Sequence, residues 1–185
     1  MSRLTPGARA PELEAVTIRG AAAAVPDGRG RLVHVQFRRF AGCPVCNFHL
    51  LTMARRQAEI EVAGVHQIVF FHSSAEEMLR YQAQLPFDCV ADADKRHYRR
   101  WGVETSIGAL FHPGVLVNGG RWVLGQRRFY RKAENGILGL PADFLVDERG
   151  FVIAAKYGEH ADDQWDVDEL LNHARGRRAA KSARA

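Results

Sequence analysis

Two hydrophobic periods alternate along the chain. Leu32, Val33, Val35 and Phe37 form a β-type apolar run. From Pro44 to about Ala63 the period lengthens. Val45, Phe48, Leu51, Met53 and Ile60 give a broad apolar face and Arg55, Arg56, Gln57 and Glu59 a polar one, which predicts a helix. Pro44 suits its first position, where no amide hydrogen is needed. Gly64 ends this helix, and Val65 to Phe71 is an apolar run of buried-strand length. Ser73-Ser74 followed by Glu76 and Glu77 predicts a capped helix reaching about Gln84 and stopped before Pro86. Phe87 to Ala91 reads as a short strand, Asp92 as a cap, and Asp94 to Trp101 as a helix ending at Gly102. Strands and helices in this alternation imply a parallel sheet with right-handed crossovers and both faces covered.

The pattern breaks at 107–140, a glycine-rich segment with a basic-aromatic mixture from Arg121 to Lys132. That mixture is compatible with single-stranded nucleic acid, a lid over a site, or self-association. Ala142 to Asp147 and Phe151 to Lys156, joined by the polar turn Asp147-Glu148-Arg149-Gly150, predict an antiparallel hairpin. A last helix is expected over Val167 to His173, with the acids Asp162, Asp163, Asp166, Asp168 and Glu169 capping it and satisfying its dipole. The implied organisation is an approach segment at 1–30, one α/β domain at 31–174 containing the 107–140 insertion, and a tail at 175–185.

Composition narrows the function classes. The 185 residues suffice for one well-buried domain, and 46% hydrophobic with 25% charged residues is ordinary for a globular chain. Part of the net charge of +5 sits on Arg175, Arg177, Arg178, Lys181 and Arg184, in an Ala/Gly/Ser stretch with little to bury. This stretch is expected to be a frayed, solubilising end, with nucleic acid disfavoured as a partner. The first residues lack a secretory pattern, and no run of about 18 apolar residues offers a membrane span. Three cysteines do not make a disulfide framework. A close pair in a reducing cytosol is more often catalytic or metal-binding than structural, so a cytoplasmic location is expected.

Cys43 and Cys46 are that pair, two residues apart where the strand-like run gives way to the helix. Thiols at this spacing close and reopen a disulfide with little backbone movement, and the positive helix end favours thiolate. Cys43, Cys46 and His49 are also a candidate zinc ligand set, but no second Cys/His cluster has finger-like spacing. The reading carries no metal and no tightly bound cofactor, because sulfur itself moves the electrons. Cys89, in a strand pattern, reads as a buried small hydrophobe.

Several segments, taken in order, resemble one family. Phe37-Arg38-Arg39-Phe40-Ala41-Gly42-Cys43-Pro44-Val45-Cys46 is similar to the signature of the peroxiredoxin-like branch of the AhpC/TSA (alkyl hydroperoxide reductase/thiol-specific antioxidant) superfamily. Ala91-Asp92-Ala93-Asp94-Lys95 with Tyr98 and Trp101-Gly102-Val103 resembles the segment before that family's third helix, and Leu140-Pro141-Ala142-Asp143-Phe144-Leu145-Val146-Asp147 with Gly150 its hairpin. Tyr157 to Trp165 is similar to members of the same branch. The resemblance implies a thioredoxin-like α/β fold, with a central mixed sheet, helices on both faces and an insertion before the Pro141 loop. It implies a thiol oxidoreductase acting on a hydroperoxide or a disulfide, rereduced by a thioredoxin- or glutathione-type reductant, with a homodimer as a compatible assembly.

On this resemblance either thiol can act first. In a thioredoxin-like route Cys43 attacks and Cys46 resolves; in a peroxiredoxin-like route Cys46 meets the peroxide and Cys43 condenses with it. Leu140 and Pro141 are the expected substrate-binding residues, since the loop facing the dithiol in this fold usually holds a cis-proline; the alternative is an ordinary proline opening a strand. Arg38, Arg39 and His72 are candidates for tuning the thiols, one arginine pointing to the site and the other away if the strand alternates. For His72 a proton carrier competes with an exposed loop histidine. The rival to an enzyme is a thioredoxin-fold binding module whose cysteines pack or hold a metal.

Overall fold

The computed structural model describes residues 3–103 and 139–182. Five strands form one sheet in the order β5-β4-β3-β6-β7, from β3 (Leu32–Phe37), β4 (Val65–Phe71), β5 (Asp88–Ala91), β6 (Ala142–Val146) and β7 (Val152–Tyr157). β3, β4 and β5 run parallel, whereas β6 and β7 are antiparallel to their neighbours. The sheet is therefore mixed, as the family resemblance implies. Helices α1 (Pro44–Arg55), α2 (Gln57–Val62), α3 (Ala75–Leu79), α4 (Arg96–Arg100) and α5 (Val167–Ser182), with a separate two-stranded hairpin, make up the rest of the regular structure among the described residues.

β3 is buried at all six positions, so its two faces carry separate cores. Val33, Val35 and Phe37 meet Phe70, Phe144, Tyr98 and Trp101 on one face; Phe37 lies 5.1 Å from the Phe70 ring and 4.8 Å from that of Tyr98. Val65, Val69, Phe71 and Leu145 meet Cys46, Leu50 and Met53 of α1, Ile60 of α2, and Leu170, Leu171 and Ala174 of α5 on the other. Each such side chain contributes roughly 1.5–3 kcal/mol on burial.

Five expectations change. Residues 13–25 are no mere approach segment: β1 (Leu13–Val16) and β2 (Ala22–Val25) form an antiparallel hairpin that buries Leu13, Ala23 and Val25 in the aromatic core. Its Ala21–Ala24 run carries no β-branched alternation, and the turn is held by Ala21 N–H donating to Thr17 Oγ1 at 3.0 Å. The helix expected over 44–63 is two helices, because Arg56 (φ −108°) leaves helical geometry. Phe48 and Leu51, expected on its apolar face, are 61% and 52% exposed. Turning Cys46, Leu50 and Met53 to the sheet carries those two outward, since they sit roughly 200° and 140° around the helix from Cys46.

The basic stretch after residue 174 is also not a frayed tail over its described length. α5 runs on to Ser182, Arg177 pairs with Asp147 at 2.7 Å, and Arg178 donates to Val62 O at 3.3 Å. Its start follows the expectation: Glu169 N–H donates to Asp166 Oδ1 at 2.8 Å and Asp166 N–H to Glu169 Oε2 at 2.9 Å, a reciprocal capping box. α3 is shorter than expected, ending at Leu79. Most of the 107–140 insertion, including Arg121 to Lys132, lies outside the described residues. No described helix is long and apolar enough to cross a membrane.

Candidate functional site

β3 ends at Phe37, and the chain turns through Arg38–Gly42 to enter α1 at Cys43. Three side chains from other segments clamp this turn. Ala41 N–H donates to Ser73 Oγ at 3.0 Å, while Ala41 O accepts from Asn47 Nδ2 at 2.7 Å and Gln82 Nε2 at 2.9 Å. Gln82, buried in the turn after α3, also donates to Asn47 Oδ1 at 2.7 Å. Cys43 is thereby held as the N-cap of α1 (φ −66°, ψ 114°), with Pro44 following it.

The two thiols are reduced and face each other, Cys46 Sγ lying 2.9 Å from Cys43 Sγ. Cys46 N–H also points at Cys43 Sγ, at 3.5 Å. The two sulfurs are driven in opposite directions. The hydrogen bond from Cys46 brings Cys43 down to about 7; burial opposes this, and the Arg39 charge and the helix-end amides reinforce it. Burial pushes Cys46 well above the ordinary thiol range, and donating to a partially anionic Cys43 raises it further. Cys43 is thus the more readily ionised thiol and Cys46 the one that holds its proton. Both side chains are buried.

The two arginines, both in the turn after β3, separate. Arg39 acts on the thiols, whereas Arg38 is fully buried in a polar layer beneath α1. Arg38 Nη2 donates to Asp143 Oδ1 at 2.7 Å and to Gln36 Oε1 at 2.7 Å, and Nη1 to Asp143 Oδ2 at 3.2 Å. His34 Nε2 is 2.9 Å from Asp143 Oδ1, and Gln36 Nε2 donates to Gln67 Oε1 at 2.9 Å. Burial alone would raise Asp143, but Arg38 and His34 outweigh it and hold the carboxyl far below its usual range. His49, the third residue of the candidate zinc set, has its Nε2 3.4 Å from Arg38 Nη2. Burial, aided by the Arg38 charge, pushes it down to about 3, so the neutral ring accepts there. Among the described residues no group of three or more His, Cys, Asp or Glu side chains converges as a metal site.

His72 is fully buried at the end of β4, so the exposed-loop reading does not hold. Its N–H donates to Arg39 O at 3.2 Å, and its ring centre lies 5.9 Å from that of Tyr98. The Tyr98 hydroxyl sits against Arg38 O and, at 3.0 Å, Phe70 O, tying α4 to the same strand ends. Pro141 opens β6, and its carbonyl accepts from Gly158 N–H at 2.9 Å. The cis geometry expected there is not found: the cis peptide among the described residues is Val25–Pro26. Pro141 directly precedes β6. Cys89 is buried, and burial raises it to about 12.

Sequence reasoning missed Asp143, His34, Gln36, Gln67, Gln82 and Asn47. A signal existed for three members of the polar layer. His34, Gln36 and Arg38 occupy alternate positions in a strand expected to be covered on both faces, which places them side by side in the interior.

Comparison with known proteins agrees with this geometry. The model of the AhpC/TSA family matches residues 6–155. Two proteins of Mycobacterium tuberculosis, from strains CDC 1551 and H37Rv, that carry the name peroxiredoxin are each 25% identical over 162 residues, covering 86% of this chain and 89% of theirs. Among solved structures, the peroxidoxin BcpB of Mycobacterium tuberculosis superposes with a TM-score of 0.70 at 12% identity, covering 94% of this chain and 98% of that one. A reduced 2-Cys peroxiredoxin of Plasmodium vivax gives 0.70 at 14% identity, covering 98% and 85%. At these identities the two structures speak for the fold, which is thioredoxin-like.

Proposed function

The chain belongs to the AhpC/TSA family, and from that premise we propose that Cys43 and Cys46 are a redox-active pair in which Cys43 attacks and Cys46 resolves. The observation that carries this is the 2.9 Å contact between a thiol brought down to about 7 and a partner raised well above the thiol range. With a hydroperoxide ROOH, the Cys43 thiolate takes the terminal oxygen, the O–O bond breaks, and the alkoxide leaves as ROH with a proton from solvent. Cys46 then attacks the sulfenic sulfur, its proton and the hydroxyl leave as water, and the disulfide closes. The pair loses two electrons and the peroxide gains them. A disulfide substrate follows the same order: one thiol leaves as a mixed disulfide forms on Cys43, and Cys46 displaces the second.

Rereduction by a thioredoxin- or glutathione-type thiol completes the cycle, in the cytoplasm, whose reducing pool suits a reversible pair. Leu140 and Pro141 flank the substrate approach, and a second copy of the chain is a compatible partner. Single-turnover oxidation by hydrogen peroxide and by a model disulfide tests the assignment. Cys43→Ser is expected to lose at least about 100-fold in rate, while Cys46→Ser keeps the first step and stalls as a sulfenic acid or mixed disulfide. A Cys43→Ser protein oxidised at the wild-type rate would transfer the attack to Cys46.

A further inference from the structure

A cavity of about 800 Å³ opens beside Arg39, whose charge also acts on Cys43. His72 and Gly139 connect the two: His72 N–H is bound to Arg39 O, and a side chain at Gly139 would come within 3.0 Å of His72 Nε2 and 3.5 Å of Arg39 Cγ. Both residues line the cavity, as do the apolar Leu140 and Val103. Its outer wall is cationic, from Lys95, Arg96, Arg99 and Arg100. Among the described residues no carboxylate lines it, and the Arg99 guanidinium donates only to a backbone carbonyl there, Asp94 O at 2.7 Å. The nearest acid in sequence, Asp92, is committed to the amides of Arg96, His97 and Tyr98.

Positive charge gathered around a concave site focuses potential onto it. The volume is that of a small-molecule site and far larger than hydrogen peroxide needs. The cavity also lies at the carboxyl ends of β4 and β5, the sheet edge where α/β folds place ligands. Resting on the dithiol reading above, we propose that this cavity binds the body of a small organic anion, with carboxylate groups on the arginine wall and apolar atoms on Leu140 and Val103, while its reactive end reaches Cys43.

Two reagents share this chemistry. An anionic hydroperoxide would oxidise the pair by the steps given above. An anionic thiol such as glutathione would reduce it: one glutathione thiolate attacks Cys43 and releases Cys46 as a thiol, and a second attacks the mixed disulfide and leaves as glutathione disulfide, returning the Cys43 thiolate.

The test compares glutathione with its dimethyl ester as reductants of the oxidised protein, and a hydroperoxy fatty acid with its methyl ester as oxidants of the reduced protein. Calorimetric titration with S-hexylglutathione, which has no free thiol, accompanies both. Wild type is expected to prefer the charged reagent by about tenfold in at least one arm, and that arm identifies the ligand's source. In the Arg96→Ala/Arg99→Ala/Arg100→Ala protein the preference should collapse toward one and S-hexylglutathione binding weaken about tenfold. The corresponding triple Lys variant should restore both. No preference in wild type in either arm, or an unchanged preference in the Ala variant, overturns the cavity assignment while leaving the dithiol intact. If no reagent oxidises or reduces the pair, the dithiol reading falls, and the titration decides the cavity alone: weakened binding in the Ala variant upholds it and equal binding rejects it.

Discussion

Cys43 and Cys46 differ in proton affinity because one donates to the other at the start of a helix. The hydrogen bond from Cys46 is the largest influence lowering Cys43, and it disappears when the donor does. The rate of Cys43 alkylation should therefore rise with pH about a midpoint near 7 in the wild type, and about a clearly higher midpoint in Cys46→Ala. An identical midpoint in the two proteins would assign the activation to Arg39 and the helix end instead. Arg39 and Arg38 show how much one position along the chain decides. Adjacent in sequence and alike in charge, they serve the thiols and the Asp143 pair respectively.

At the scale of elements, the polar layer welds β3 to β6. Arg38 and Asp143 are both fully buried and joined by two hydrogen bonds, with His34 and Trp165 N–H completing the carboxylate's shell. Removing one member leaves a charge in the interior with no counter-ion. Asp143→Ala should lower unfolding stability by about 3–5 kcal/mol in urea titration of the reduced protein, whereas the double variant Arg38→Met/Asp143→Leu should recover most of it. A double variant as unstable as the single one would show that the geometry of the pair, not its charge balance, matters. Half of this device was legible: polar side chains at alternate positions of an apolar strand pointed inward. Its other half was not, because Asp143 lies more than a hundred residues away and only strand pairing brings it opposite Gln36.

For the molecule as a whole, buried neutral histidines set the response to acid. Burial lowers His34 and His49 from the usual histidine value, His49 to about 3. Below the unfolded value near 6.5 the unfolded chain takes up protons that the folded chain refuses, so stability falls as pH drops. Each histidine that stays neutral should remove about 2 kcal/mol by pH 5. The slope of unfolding free energy against pH between 6.5 and 5 should flatten in His49→Gln, by the share that one histidine contributes. An unaltered slope would mean that His49 takes up a proton in the fold.

The sequence by itself determined the close cysteine pair, the strand that delivers it, the helix that starts after it, and the α/β alternation with its terminal hairpin. These depend on short-range rules: hydrophobic period, capping chemistry and the spacing of two cysteines. Tertiary structure alone decided which face α1 presents, that Ala22–Val25 pairs as a strand, that the basic end continues as helix, and that Gln82 grips Ala41 from across the fold. Each of those outcomes depends on a partner distant along the chain, and a linear pattern carries the need for a partner but not its address.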